Sequence, residues 1–209
     1  MILRVTAGQD YYEEARAAAL SFWEQLNTYM VRQPDWARSK TPVTVPDDAP
    51  EVVRELTAAA AVANVGPMFS FQGAVVDHIG CFLVRMVGEV TVSSGGEYFI
   101  ATKKRTKLIV VRGDEGGDVS VVIDPSYGPV GLHTTLGSEP PSDTVDGLAI
   151  LAETCSLAAA CAAGTGALLR QPNSLRAALD HIRGIDGVIG GVIVEGETIG
   201  VAGTVELSS

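Results

Sequence analysis

Along the first third of the chain, apolar residues recur at helical spacing. Leu20, Trp23, Leu26 and Met30 share one stripe, which predicts a long helix over 10–34 behind a short strand at 1–6. Gln33 to Asp47 carries three prolines and reads as a loop. Asp48 is expected to act as an N-cap, with Pro50 just inside a helix from Val52 to Ala63 that stops before Gly66-Pro67. Phe71, Val75, Ile79, Phe82 and Met86 mark a further helix over 69–86.

Beyond Gly88 the period shortens to two. Val90 and Val92, then Tyr98 and Ile100, predict strands on either side of Gly95-Gly96. Leu108 to Val111 and Val119 to Ile123 read as a hairpin joined by Gly113-Asp114-Glu115-Gly116-Gly117. Residues 125–144 hold four prolines and read as a long loop, of the kind that carries function in compact domains. Leu148 to Leu151 is a short buried strand. Ser156 is expected to cap a small-residue helix to about Leu169, and Asn173 or Ser174 another to about Arg183. The end reads as a hairpin, Val188 to Val194 and Thr198 to Leu207 about Glu195-Gly196-Glu197. Helices and strands come in blocks and not in βαβ alternation, which argues an α+β fold with a largely antiparallel sheet packed with helices.

Length and composition bound the rest. With 209 residues and 46% hydrophobic content the chain is long enough for one large domain or two small ones, and the lack of a long Ser/Gly or Pro linker favours one. A net charge of −10 argues against a phosphate-backbone binder, so nucleic acid is not an expected partner. Lys103, Lys104, Arg105 and Lys107 are the local exception. They read as a solvated hairpin tip or as a docking patch for phosphate or an acidic protein partner. Cys81, Cys155 and Cys161 match no zinc spacing and read as buried free thiols of a reducing compartment. Cys155, beside a helix start, has the alternative of a reactive thiolate. No signal-peptide pattern stands at the start, and the apolar run Cys155 to Leu169 is shorter than the roughly 20 residues of a membrane span. A cytoplasmic location without a membrane partner is therefore expected, and a homo-oligomer is compatible with the sequence.

Four features bear on chemistry. Gly95-Gly96-Glu97 is either a plain hairpin turn or a bare backbone open to an anionic ligand. It is not the GxGxxG fingerprint. The run from Ser156 to Leu169 carries Gly164 and Gly166, each costing about 1 kcal/mol against alanine in a helix, so close packing or a flat ligand must compensate. His133 in the long loop is either solvated or a catalytic or ligand group. Asp77, late in an apolar helix, either bonds neighbouring backbone or orients a ligand, and His78 and His181 rank below His133. No Ser-His-Asp set, P-loop or metal-spaced histidine pair is present.

Several short motifs taken together carry a resemblance. They are Asp48-Ala49-Pro50-Glu51-Val52-Val53-Arg54, Val65-Gly66-Pro67-Met68, Gly95-Gly96, Ser126-Tyr127-Gly128-Pro129-Val130-Gly131, Thr154-Cys155-Ser156-Leu157-Ala158, Gly187-Val188-Ile189-Gly190 and Gly203-Thr204-Val205-Glu206-Leu207. In these the chain resembles an uncharacterised branch of the ApbE-like superfamily. The resemblance implies a single T-fold-like domain over 1–209, with an N-terminal strand, helix and loop in 1–47 and the core in 48–209. Characterised members of that superfamily are FAD:protein FMN transferases, which use Mg²⁺ to split FAD and join FMN to a protein Ser or Thr.

Carried over by position, the resemblance implies a nucleotide site for FAD or FMN built from Gly66, Pro67, Met68, Gly73, Gly95, Gly96, Glu97 and Ser156, with His133 and Asp77 as catalytic candidates. Gly73 and Asp77 match the transferases' Gly-x-Ala-x-Asp helix, their Gly-Gly-Asp or Gly-Gly-Asn becomes Gly95-Gly96-Glu97, and the loop histidine stands one position away at His133. The Asp and Thr that hold the metal, four residues apart on one helix face, correspond to Ala159 and Ala163, so Mg²⁺ is not expected at that place. Three functions follow: a flavin or nucleotide binder without metal-dependent transfer, an accessory protein in sulfur or iron–sulfur metabolism, or a transferase with a relocated metal site using Glu97, Asp77, His133 or Asp124.

Overall fold

The N-terminal stripe folds as α1, Tyr12–Arg32, which buries Ala15, Ala18, Phe22 and Leu26. The buried face is rotated from the expected one, leaving Leu20 and Trp23 at 47% exposure while Trp23 meets Phe71 edge-on. The computed structural model describes residues 2–112, 117–136, 140–143 and 145–208. The expected glycine turn at 113–116 and positions 137–139 and 144 of the expected loop lie outside those residues.

Inside the proline-rich segment, Pro34 starts a short helix, α2, Pro34–Arg38, where a loop alone was expected. Its Trp36 is buried and donates from Nε1 to Thr57 Oγ1 at 2.9 Å. That bond ties it to α3, Glu51–Val62. Pro50, not Asp48, holds the N-cap position of α3, and no side chain caps it. A 3₁₀ turn at Pro67–Ser70 leads into α4, Phe71–Val87, which ends on Gly88 in the left-handed region at φ 70°. The helical stretch Pro67–Val87 is long and apolar enough to cross a membrane on length and composition; here half of it is buried, and α4 packs on α1, α5 and the sheet.

The strands are β1 Arg4–Thr6, β2 Val90–Ser94, β3 Glu97–Ala101, β4 Thr106–Val111, β5 Val119–Ile123, β6 Val130–Thr134, β7 Gly147–Ala152, β8 Val188–Glu195, β9 Thr198–Gly203 and β10 Glu206–Ser208. Seven form one sheet in the order β1-β2-β3-β6-β7-β8-β9, and β10-β5-β4 form a second. Neighbours pair antiparallel. Two departures from the sequence reading matter. β6 lies at the centre of the large sheet, inside the segment expected to be a loop, because Gly128-Pro129 and Gly131 leave only Val130 and Leu132 to show a period of two. The last hairpin arm breaks at Gly203, φ 72°, and β10 crosses to pair with β5.

The layers follow from alternation along the strands. Ile100, Val130, Leu132 and Leu151 face the small sheet and pack with Val110, Val121 and Ile123. The opposite face of the large sheet carries the helices. α4 lies on β2 and β3, and α1 and α3 pack against α4 in the same core. The helices α5, Cys155–Leu169, and α6, Leu175–Arg183, cover β7, β8 and β9. Thr154 caps α5, where Ser156 was expected, whereas Ser174, one of the two residues expected there, holds the N-cap position of α6, without a side-chain bond to the helix.

Candidate ligand cleft

α4 and α5 cross closely because Gly73 has no side chain; a Cβ there would overlap the Cys155 carbonyl. The crossing delivers Asp77, 8% exposed, to the start of α5. Asp77 Oδ1 accepts the Cys155 N–H at 2.8 Å, and Oδ2 accepts both the N–H and the Oγ–H of Ser156 at 2.7 Å. Thr154 Oγ1 accepts the Leu157 N–H at 3.2 Å, and the Ala158 N–H makes the first intrahelical bond to Thr154 O. Three of the amides that the start of α5 leaves orphaned, those of Cys155, Ser156 and Leu157, are therefore satisfied by side chains of the chain itself. Asp77 also places a negative charge at the positive end of the α5 dipole. Burial pushes its carboxyl above the ordinary 3.8, and the bonds from Ser156 and Cys155 pull the other way.

Asp77 forms part of the floor of a cleft of about 480 Å³ between α3, α4 and the start of α5. Ala58, Ala59, Val62, Phe82 and Leu157 supply apolar wall, and Glu51, Glu55, His78 and Arg85 supply polar groups. The volume falls in the usual range for small-molecule sites, roughly 300–1,000 Å³. Burial, then the charges of Glu51 and Asp77, raise the Glu55 carboxyl, with Arg54 opposing. Burial lowers His78, with Glu51 opposing. Cys81 stands exposed at the same cleft, contrary to the buried thiol expected. A hollow of about 510 Å³ beside α2, walled by Tyr29, Trp36, Arg38 and Val43 among others, contains none of the expected site residues.

A second group gathers at the β2–β3 turn. Gly95 takes φ 61°, and a Cβ on Gly96 would overlap the Thr134 carbonyl, so both glycines are required by the backbone. Glu97 faces His133 in register across β3 and β6, with Oε1 2.7 Å from His133 Nδ1. Glu97 is 3% exposed, and among the described residues its Oε2 has no partner. His133 therefore sits on a central strand and is held by a carboxylate. Between the two groups lies Cys155, fully buried, with Sγ donating to Tyr98 O at 3.1 Å. Burial, then the nearby charges of Asp77 and Glu97, hold its thiol well above 9.0, which removes the thiolate alternative.

Of the expected residues, Gly73, Asp77 and Ser156 meet at the helix crossing, and Gly95, Gly96, Glu97 and His133 meet at the turn. Gly66, Pro67 and Met68 lie apart: Gly66 packs under the Ser39 carbonyl, Pro67 is buried, and Met68 joins the core below α1. Glu51, Glu55, His78, Phe82 and Arg85 were missed as cleft residues. Their signal was present as four-residue spacing, Glu51 with Glu55 on α3, and Asp77, Cys81 and Arg85 on α4. Ala159 and Ala163 follow Ser156 along one stripe of α5, with Ala163 packed into the same cluster as Ala59 and Ala60 of α3. Among the described residues, no group of three or more His, Cys, Asp or Glu is placed so that it could hold a metal ion. The basic run is a crossing between the two sheets and not a hairpin tip. Arg105 pairs with Glu206 and, at 3.6 Å, with Asp124, and the Lys103 N–H donates to Glu89.

Comparison with known proteins agrees with this architecture. A family model described as AbpE bacteria matches residues 1–183. The UPF0280 protein of Methanocella arvoryzae is 28% identical over 97% of this chain and 84% of its own length. The UPF0280 protein of Methanocaldococcus jannaschii is 27% identical over 98% and 87%. Among solved structures, the ApbE protein of Thermotoga maritima is similar in fold, with a TM-score of 0.50 at 14% identity, covering 94% of this chain and 77% of that one.

Proposed function

From the premise that the chain belongs to the AbpE bacteria family, we propose that it binds a flavin or a related nucleotide in the α3–α4–α5 cleft and does not carry out metal-dependent FMN transfer. The observation that carries this reading is the cleft itself. It has ring-sized apolar walls, a few convergent polar groups and a floor fixed by the Asp77 bonds. Mg²⁺ requires hard oxygen ligands. Ala159 and Ala163 stand where the resemblance places the transferases' Asp and Thr, and neither offers a side-chain oxygen. The carboxylate of Asp77 is engaged by three donors. The side chains at this place do not fit the ion, and no step is routed through it.

Thermal melting with FAD, FMN and riboflavin, each with and without Mg²⁺, tests the reading. A rise of several degrees with at least one flavin, unchanged by Mg²⁺, is expected. No rise with any of the three at saturating concentration would dispose of flavin binding. A second reading, an enzyme with a relocated site, is favoured by one observation: the unpartnered Oε2 of Glu97 beside a carboxylate-held histidine. Mg²⁺-dependent release of AMP from FAD, lost in Glu97→Gln, would establish it.

A further inference from the structure

We propose that the cleft selects against phosphate: it takes the flat, neutral or cationic ring end of its ligand and excludes ligands whose phosphate must enter between α3, α4 and α5. The inference rests on the flavin-binding reading above and sharpens it from a family of ligands to one chemical class.

A helix N-terminus at the bottom of a cleft ordinarily holds an anion through its free amides. Here that capacity is already used. The N–H groups of Cys155 and Ser156 point at Asp77, and that of Leu157 points at Thr154 Oγ1. An incoming phosphate would have to displace a buried carboxylate that the chain itself supplies.

The charges lining the cleft reinforce the exclusion. Glu51, Glu55 and Asp77 face it, and among the described lining residues Arg85 is the one arginine or lysine. The two carboxylates of α3 sit one turn apart on the same face. All three line the one cleft, and burial, then the charges of Glu51 and Asp77, raise the Glu55 carboxyl. Burial keeps His78 on the neutral side, and the Cys81 thiol is held above 9.0, so neither alters the balance at pH 7. Like charges brought together in this way reject the wrong ligand more than they weaken the right one.

The remaining wall suits a ring. Ala58, Ala59 and Val62 on α3 stand across from Phe82 on α4, and Leu157 closes the end. Glutamate carboxylates accept hydrogen bonds and donate none, so at the rim they match ring N–H groups or a positive charge.

Riboflavin and FMN share one ring system and differ by a phosphate, so their binding constants isolate the effect. Both are titrated by flavin fluorescence into the full chain at pH 7 without divalent metal. Riboflavin is expected to bind at least about tenfold more tightly than FMN. In the Glu51→Gln/Glu55→Gln variant the ratio of the FMN to the riboflavin dissociation constant is expected to fall by at least about threefold, whatever riboflavin itself loses at the rim; an unchanged ratio overturns the exclusion of phosphate by these carboxylates. Ala58→Trp, which fills the cleft from a solvent-exposed wall position, abolishes both. FMN binding as tightly as riboflavin overturns the selectivity and leaves flavin binding in place. Binding of neither overturns the flavin reading and this one with it. Riboflavin binding that survives Ala58→Trp places the ligand elsewhere and overturns the assignment to this cleft.

Discussion

Asp77 Oδ2 accepts both the N–H and the hydroxyl of Ser156 at 2.7 Å, across 79 residues of sequence. One carboxylate on α4 thus finishes the start of α5, which that helix's own N-cap, Thr154, does only in part. Asp77→Ala would leave the two amides without acceptors in a buried place, and a loss of roughly 2–4 kcal/mol is expected. Urea denaturation followed by circular dichroism measures it. A loss below about 0.5 kcal/mol would mean that water replaces the carboxylate at no cost.

The same crossing depends on absent side chains. A Cβ on Gly73 would overlap the Cys155 carbonyl, and one on Gly131 would overlap the Thr154–Cys155 backbone. Backbone cannot swing aside as a flexible side chain does, so Gly73→Ala and Gly131→Ala should each cost roughly 1–3 kcal/mol, toward the upper end. Gly117→Ala, with open space around it, is the control, carrying only the strain of φ 80°.

Glu97 and His133 should behave as a unit. His133→Ala removes the one partner that the buried carboxylate of Glu97 has among the described residues, and a cost of about 3 kcal/mol is expected. Glu97→Met/His133→Ala should recover part of that loss, because the orphaned charge leaves with its partner. Additive losses in the double-mutant cycle would show that the pair contributes no coupling.

His181 predicts an acid limb. Its Nε2 is buried without a partner among the described residues, and burial lowers its pKa from the ordinary 6.5. The unfolded chain takes up its proton first as pH falls, so the contribution of the neutral ring is fully present above 6.5. It is lost as pH drops through the lower folded value. Glu55 and Asp77, raised by burial, act in the opposite sense: their contribution is complete below their ordinary values and is lost as pH rises through the folded ones. The difference between wild type and His181→Gln from pH 7 to pH 5 isolates the histidine. A difference that stays flat over that range would contradict the assignment.

Native-state alkylation should sort the three thiols. Cys81 is exposed, and its raised pKa makes it react faster as pH climbs past 9.0. Cys155 and Cys161 are buried, with Cys161 pushed up to about 12, and should react only after unfolding. Mass mapping of iodoacetamide adducts at pH 8 reads this directly, and labelling of Cys155 before Cys81 would refute the packing described for α5.

Local periodicity by itself determined most helices and most strands of this chain, because a buried face writes its own spacing into neighbouring residues. α4 and β8 are legible in that way, and so is the α+β class. The glycines were visible too, although the reason for Gly73 and Gly131 was not, since it lies in a backbone dozens of residues away. β6 escaped detection because two apolar residues between glycines and a proline carry too little pattern, and only pairing with β3 and β7 makes them a strand. Tertiary structure alone decided that Asp77 would satisfy α5 and that Glu97 would meet His133. It alone also drew Glu51, Glu55 and Arg85 around one cleft. Those relationships are contacts between distant segments, and they exist only once burial of the apolar faces has brought the segments together.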